Sequence, residues 1–294
     1  MTARQWKGDT DGTTWMHRRL IGMMKHLPLR LMYAVVSVFV VPFYMLFSHQ
    51  GYISIYHFFR RRFHEKPLRA FVQVYRNHCR FAQVILDRFF IYAGGKFSFE
   101  IDNYDLYLNL SKGDSGFVIL SAHVGNYEAA GYTLVAHDKR FNALVYGAEA
   151  ETVMQNRKRI LQENNIRMIP IREDMSHLFL MSNALSDGES VSIPGDRIFG
   201  SPRCLSLTFL GKDAKFPLGP FAIAVQRQVP VIAIHVMKEA AKRYHIYIRQ
   251  LSAEGTTSKE RAESLARQYV SYLEEIVKKY PEQWFNYYDF WDEQ

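Results

Sequence analysis

The chain has 294 residues, of which 48% are apolar and 22% charged, so it can bury a large core and is not a mainly disordered protein. Thirty-seven Lys and Arg against 29 Asp and Glu give a net charge of +8, which favours anionic partners such as phospholipid headgroups or an acidic protein. The two cysteines, Cys79 and Cys204, form no CxxC pair, which argues against a structural zinc site and a disulfide framework.

An apolar segment near the N-terminus is the first element along the chain. No Asp, Glu, Lys or Arg occurs from residue 31 to 59, and the stretch 31–47 is almost wholly apolar. As a helix this stretch spans about 25 Å, the short limit for crossing a bilayer. Basic residues flank it on both sides, namely Arg18, Arg19, Lys25 and Arg30 before it and Arg60, Arg61 and Arg62 after it.

Because both flanks are basic, the positive-inside rule gives no orientation for this segment. Two interpretations remain open. One is a single anchor that spans the membrane. The other is a re-entrant or interfacial hairpin, bent at Pro42, with both basic flanks on anionic lipid. In either case residues 1–66 are predicted to form an N-terminal membrane anchor region, and residues 67–294 a separate domain.

The remaining sequence alternates between short apolar runs and helical patterns. A long amphipathic helix is predicted from Pro67 to Gly94. Strands are predicted at 117–121, 143–146, 166–171, 190–193, 204–210, 231–236 and 244–249, and helices at 125–136, 151–163, 175–185, 219–227 and 259–280. This alternation predicts an α/β fold with a mostly parallel central sheet flanked by helices. No Gly-rich dinucleotide fingerprint or P-loop follows any strand, which disfavours nucleotide enzymes.

The sequence HVGNYE at 123–128 lies where the apolar strand 117–121 ends and a helix begins. Ligands of parallel sheets bind at the carboxyl ends of strands, which places His123 well for catalysis. Gly125 permits a tight turn and close approach of a substrate. With His123 in the turn and Glu128 in the first helical turn, the carboxylate can face the imidazole and raise its basicity. The spacing alone fits a structural histidine that caps the end of a strand as well as it fits a catalytic pair.

Three segments, in this order, resemble the late acyltransferases of lipid A biosynthesis. HVGNYE resembles their HxGNWE signature, PGDR at 194–197 followed by Gly200 resembles their second motif, and YPEQW at 280–284 closely resembles their PEQW segment. The basic and apolar N-terminus is similar to that family's anchor. The family belongs to a wider group of glycerolipid and lysophospholipid acyltransferases that carry a His-x4-acid motif.

This resemblance implies that 67–294 is an α/β acyltransferase domain. It implies transfer of a fatty acyl chain from a thioester, usually on acyl carrier protein, to a hydroxyl of a lipid such as a lipid A precursor. His123 would be the general base and Glu128 would orient it, with direct attack and no acyl-enzyme, in agreement with the absence of a GxSxG sequence. An Arg, or backbone N–H groups near Asn126, would stabilise the oxyanion. No cofactor and no metal are expected.

Substrate-binding roles are predicted for Gly125, Asn126, Arg157, Asp196 and Arg197. Arg157 is chosen because a family arginine falls between the two motifs, although Lys158 and Arg159 adjoin it. Asp196 matches the family's Asp by its distance from Gly200. Arg197 departs from the usual Gln or His, and an Arg favours a phosphate or carboxylate on the acceptor.

That departure leaves the acceptor open between a lipid A precursor and another lipid, namely an aminolipid, a lysophospholipid or a polyene lipid. A non-catalytic membrane-binding module is an alternative of a different class, and it predicts that His123→Ala keeps all function. Nucleic-acid binding is disfavoured because the basic residues cluster beside an apolar segment. The expected location is the inner membrane, with the catalytic domain on the cytoplasmic face.

Overall fold

The computed structural model describes residues 14–47, 49–134, 139–145, 165–172, 174–198 and 203–291. Its strands are β1 (Ser98–Ile101), β2 (Phe117–Ser121), β3 (Phe141–Val145), β4 (Ile166–Pro170), β5 (Ser190–Pro194), β6 (Cys204–Phe209), β7 (Lys212–Pro217), β8 (Val231–Ala240) and β9 (Arg243–Leu251). Its helices are α1 (Thr14–Met24), α2 (Leu29–Val35), α3 (Val41–Phe47), α4 (His49–His57), α5 (Pro67–Tyr92), α6 (Tyr104–Lys112), α7 (Tyr127–Thr133), α8 (Ser176–Ser186), α9 (Gly219–Arg227) and α10 (Ser258–Lys279). A π-helical turn, Val36–Val40, joins α2 to α3, and a second, Phe58–Arg62, follows α4.

Among the described residues, seven strands form a central sheet in the order β1-β9-β8-β2-β5-β3-β4. Neighbouring strands are parallel except β8 and β9, which are antiparallel. The central strand β2 is buried along its whole length, with Val118 and Leu120 in one apolar cluster and Phe117 and Ile119 in the other. A continuous apolar run is typical of a strand that is covered on both faces. The predicted fold class is therefore confirmed.

The register of β2 and β5 brings two sequence motifs together. Ser121, the last residue of β2, pairs with Pro194, the last residue of β5. His123 and Asp196 each follow two residues later, so they leave the sheet side by side. Because the two strands are parallel and adjacent, both residues lie at the carboxyl edge of the sheet, where α/β proteins bind ligands.

One predicted strand does not belong to the central sheet. β6, within the predicted 204–210 strand, pairs antiparallel with β7 in a separate two-stranded sheet. Leu210 and Gly211 connect the two strands, with φ of 51° and 77°. Two consecutive positive φ values suit the tight hairpin turn whose twist matches that of antiparallel strands. The helix predicted at 151–163 lies outside the described residues.

In the described part of the chain, one helical rod, Leu29–Phe47, is long and apolar enough to cross a membrane by length and composition. Its mean hydropathy is 1.9, and 22% of its apolar window is buried. The rod lies against α5, which begins with Pro67 in its first turn, where a missing N–H costs nothing. The domain division predicted after residue 66 stays a prediction.

Candidate active site

His123 and Asp196 form a close pair at the carboxyl edge of the sheet. Nδ1 of His123 lies 2.8 Å from Oδ1 of Asp196. The backbone N–H of His123 donates to Oδ2 of the same carboxylate, also at 2.8 Å. The Asp196 side chain is fully buried, whereas the His123 side chain keeps 16% exposure. The pair therefore has a buried, held carboxylate and an imidazole that substrate can reach.

Burial and charge set the protonation of this pair. Burial works to raise the pKa of Asp196, but the nearby His123 and Arg197 together with the His123 N–H donors lower it to about 2. Burial lowers the pKa of His123 below its usual 6.5, against the opposing effect of Asp196. At neutral pH Asp196 is thus ionised and His123 is neutral. An Nδ1–H that donates to Asp196 leaves the lone pair of Nε2 available as a base.

Glu128 is not the carboxylate that contacts this imidazole. Its Oε2 accepts from Nε of Arg88 at 2.8 Å, and its Oε1 accepts from the Tyr92 hydroxyl at 3.2 Å. Because α7 begins at Tyr127, Glu128 lies in its first turn and reaches α5, which carries both partners. The predicted contact between Glu128 and the imidazole is therefore not formed in this structure, since the strand register gives that position to Asp196. The orienting role of Glu128 stays a prediction.

Gly125 and Asn126 shape the turn between β2 and α7. Gly125 has a φ of +55°, and a Cβ atom there would lie 2.1 Å from the Val236 carbonyl oxygen. Asn126 is buried and caps α7, with Oδ1 accepting from the Ala129 N–H at 3.3 Å. Its Nδ2 donates to the Tyr244 hydroxyl at 3.1 Å. Both residues hold the turn in place, and their substrate-binding roles stay predictions.

The backbone N–H groups of this turn are already used within the chain. Gly125 N–H donates to the Gln283 carbonyl at 2.9 Å, and Asn126 N–H donates to the Val236 carbonyl at 2.8 Å. They therefore do not point at a reacting carbonyl. These two groups hold the shape of the turn, and the expectation that an Arg or backbone N–H groups at the start of α7 stabilise the oxyanion stays a prediction.

Asn286 links Asp196 to Arg197. Its Nδ2 donates to Asp196 Oδ2 at 3.3 Å, and its Oδ1 accepts from Arg197 Nε at 3.1 Å. Arg197 also donates to the Phe285 carbonyl at 3.3 Å and lies over the Tyr288 ring at 5.9 Å. Asn286 is only 2% exposed, so both of its amide atoms act inside the protein. The Arg197 guanidinium is thereby fixed beside the His123–Asp196 pair.

The C-terminal segment forms one wall of the site. Trp284 forms an antiparallel bridge with Val124, and Phe285 N–H donates to the His123 carbonyl at 2.9 Å. Asn77 on α5 donates to the Trp284 carbonyl at 2.7 Å. The PEQW segment thus lies against the turn that carries His123, a contact that its distance from residue 123 along the sequence could not reveal.

The structure brings together His123, Asp196 and Arg197, and it pairs Glu128, on α7, with Arg88 and Tyr92 of α5. Arg157 and Gly200 lie outside the described residues. Sequence reasoning missed Asn286 and Arg88. A lone amide within the aromatic run WFNYYDFW at 284–291 was the available signal for Asn286. Arg88 gave no signal, because its role depends on how α5 packs against α7.

Within the described residues, one group of three potential metal ligands occurs, formed by Glu100, Glu239 and His245 on β1, β8 and β9. One member of this group already has partners within the chain, since Glu239 accepts from the Tyr280 hydroxyl and forms an ion pair with Arg243. None of the three contacts the His123–Asp196 pair.

The fold and the site define the class of protein, an α/β protein with a histidine–carboxylate pair suited to acid–base chemistry at the carboxyl edge of its sheet. Residues 97–291 match the family described as bacterial lipid A biosynthesis acyltransferase, and the chain belongs to that family. The comparison with curated proteins found no match. Among solved structures, the chain is similar to the 1-acyl-sn-glycerophosphate (LPA) acyltransferase, PlsC, from Thermotoga maritima. The identity is 15%, the match covers 90% of this chain and 98% of that one, and the TM-score is 0.40.

Proposed function

We propose that the protein moves a fatty acyl chain from a thioester donor to a hydroxyl of a lipid acceptor, with His123 as general base and Asp196 as the residue that orients it. The contact between His123 Nδ1 and Asp196 at the edge of the sheet is the observation that carries the proposal. An ionised carboxylate on Nδ1 fixes the tautomer in which Nε2 is a base. Family membership supplies the class of reaction.

The proposed reaction has two steps. Nε2 of His123 takes the proton of the acceptor hydroxyl while that oxygen attacks the thioester carbonyl carbon, which gives a tetrahedral oxyanion. The carbon–sulfur bond then breaks, and the thiolate takes the proton back from Nε2. The products are the acyl ester of the acceptor and the free thiol of the donor. Asp196 stays ionised throughout and stabilises the imidazolium between the two steps.

Acyl carrier protein is the proposed donor. The chain has a net charge of +8, which complements an acidic carrier. Raising the salt concentration should then weaken donor binding steeply, because attraction between exposed charges is screened within about 10 Å at 0.1 M. A rate that does not depend on salt would favour acyl-CoA or a lipid donor that is recognised by its chain.

A lipid A precursor is the proposed acceptor, and the inner membrane, with the catalytic domain on the cytoplasmic face, is the proposed location. The family supports the acceptor, and the apolar rod Leu29–Phe47 supports a membrane location. The Arg197 guanidinium, fixed by Asn286 beside the reacting pair, fits an acceptor with a phosphate or carboxylate near its hydroxyl.

Mass spectrometry of total lipids tests the proposal. A strain that lacks the gene would be compared with strains restored by the wild type, by His123→Ala, or by His26→Ala as a control at an exposed histidine. We expect one lipid to lose the mass of one acyl chain, and only the wild type and His26→Ala to restore it. Restoration by His123→Ala would refute the mechanism. If a lipid other than a lipid A precursor lost the acyl chain, the proposed acceptor would be wrong and the proposed acyl transfer would still hold.

A further inference from the structure

The apolar rod Leu29–Phe47 is fastened to the protein body near its beginning. Tyr33 is buried, and its hydroxyl donates to the carboxylate of Asp87 on α5. That carboxylate forms an ion pair with Lys238 of β8, and both side chains are almost fully buried. Leu29 and Met32 pack in the same apolar cluster as α5. The first turns of the rod therefore cannot leave the body without exposing a buried ion pair.

The middle and later turns of the rod also contact α5. The Tyr75 hydroxyl on α5 donates to the Ser37 carbonyl at 2.9 Å, within the π-helical turn. Val41 is 4% exposed. Further along, the rings of Tyr44 and His78 lie 6.1 Å apart. Contacts to one helix thus continue along most of the rod.

The chain re-enters the main core soon after the rod ends. Ile55, Phe58 and Phe59 are each no more than 3% exposed. Phe58 stacks on Trp284, which borders the catalytic turn, with ring centroids 6.0 Å apart. Both ends of the rod are therefore held by the same body that carries His123.

The outward face of the rod is apolar and exposed. Phe39, Phe43 and Phe47 keep 71%, 63% and 71% of their surface exposed. The other large exposed apolar side chains of the rod are Leu31, Val35, Val38, Val40 and Leu46. No Asp, Glu, Lys or Arg occurs from residue 31 to the end of the rod at residue 47. A face of this size and composition on a single chain marks an interaction surface.

A transmembrane position would carry charged groups into hydrocarbon. Arg76 and Arg80 lie on α5 next to Tyr75 and His78, which contact the rod, and both arginines pair with Glu282. If the rod crossed the bilayer, α5 and these three charges would be drawn to the same depth. Each charge at the bilayer centre costs several kcal/mol. A rod that lies parallel to the membrane surface leaves these three charged groups in water.

Basic side chains favour an anionic lipid surface as the occupant of this face. Arg18, Arg19, Lys25 and Arg30 are exposed before and at the start of the rod. Each basic residue near an anionic leaflet contributes about 1 kcal/mol. Trp15 on α1 is 65% exposed, as suits an aromatic ring at the headgroup level.

We infer that the rod Leu29–Phe47 lies in one leaflet of an anionic bilayer, along its plane, with residues before and after it on the same side. The sequence left two anchors open, one that spans the membrane and one that lies in its interface, and the inference selects the second. It holds whichever acyl group and acceptor the enzyme uses, so its failure and that of the proposed function are distinguishable.

Cysteine accessibility tests the topology. In a Cys204→Ser background, where Cys79 is buried, single cysteines would be introduced by Lys25→Cys before the rod and Lys259→Cys on α10. Membrane vesicles of known orientation would be treated with an impermeant maleimide. We expect both positions to react from the same side, and the background without an added cysteine to stay unlabelled. Reaction from opposite sides would overturn the inference.

Vesicle binding tests the lipid face. The full-length chain would be mixed with vesicles of phosphatidylethanolamine and phosphatidylglycerol. Phe39→Ser and Phe43→Ser should each weaken binding by at least about tenfold, because each removes a large ring from lipid. Phe179→Ser, at a 74% exposed phenylalanine on α8, is the matched control and should bind like the wild type. The inference would be overturned if the wild-type chain did not bind vesicles and instead formed a dimer through this face.

Discussion

Asp196 holds His123 twice, with one carboxylate oxygen 2.8 Å from the ring Nδ1 and the other 2.8 Å from the backbone N–H. One contact orients the imidazole and the other fixes the strand end that carries it. Such a double contact needs two adjacent parallel strands that end in register, and Ser121 opposite Pro194 provides that register. The geometry of this candidate catalytic pair thus depends on the register of the sheet.

The acid limb of the pH–rate profile should have its midpoint below pH 6.5. Only neutral His123 can accept the hydroxyl proton, and burial lowers its pKa below the usual value. The rate should therefore rise as pH rises through that lowered pKa and be level around pH 7. Steady-state kcat/KM measured at constant ionic strength tests this. A rate that is still rising well above pH 6.5 would contradict it.

Asp196→Asn should lower kcat by about 10²–10⁴-fold, because the imidazole loses the charge that fixes its tautomer and stabilises its cation. Asp196 raises the His123 pKa, so removing its charge should move the acid side of the profile to lower pH. The profile of Asp196→Asn would be compared with that of Glu128→Gln.

Glu128→Gln is the matched control for that variant. Its charge is held by Arg88, so its removal should leave the acid side of the profile in place. A shift in Glu128→Gln together with an unchanged profile in Asp196→Asn would assign the orienting role to Glu128 in the working complex.

Asn286→Ala should lower activity by about tenfold to a hundredfold, because it removes hydrogen bonds to two charged groups at once. Asn286→Asp should act differently. It places a second carboxylate beside Asp196, which raises the His123 pKa and moves the acid side of the profile to higher pH. Kinetics of both variants across pH separate this positioning role from a loss of fold, which would leave the profile unshifted.

Gly125→Ala should destabilise the protein by about 2 kcal/mol or more. A side chain at φ +55° is strained, and its Cβ would meet the Val236 carbonyl oxygen at 2.1 Å. Gly22→Ala on α1 is the control, because nothing lies within 4 Å of the added Cβ. Thermal unfolding compares the two, and equal melting temperatures would count against the tight turn described here.

Removing one partner of the buried ion pair should cost about 3–5 kcal/mol of folding free energy. Asp87→Asn leaves Lys238 without its buried counter-charge. The double variant Asp87→Asn with Lys238→Met should recover part of the loss, since no unpaired charge remains. Urea unfolding of the single and double variants measures this, and additive losses would show that the two side chains do not act as a pair.

Much of the fold could be predicted from local pattern. The apolar run at 117–121 is β2 without a shift of boundary, and the amphipathic pattern from Pro67 is α5. β7 escaped prediction because its sequence KDAKFP is largely polar, and its pairing with β6 together with the burial of Ala214 and Phe216 stabilises it as a strand.

The sequence by itself determined the α/β class, the family, the candidate catalytic histidine at the end of a buried strand, and an apolar segment with basic flanks. These features depend on local periodicity, composition and motif order. Only the tertiary structure decided that Asp196 rather than Glu128 contacts His123, because that depends on the register of two strands about 70 residues apart along the chain. It also decided which face of the rod Leu29–Phe47 packs on α5, and so which face is left exposed, since burial follows from packing between distant segments.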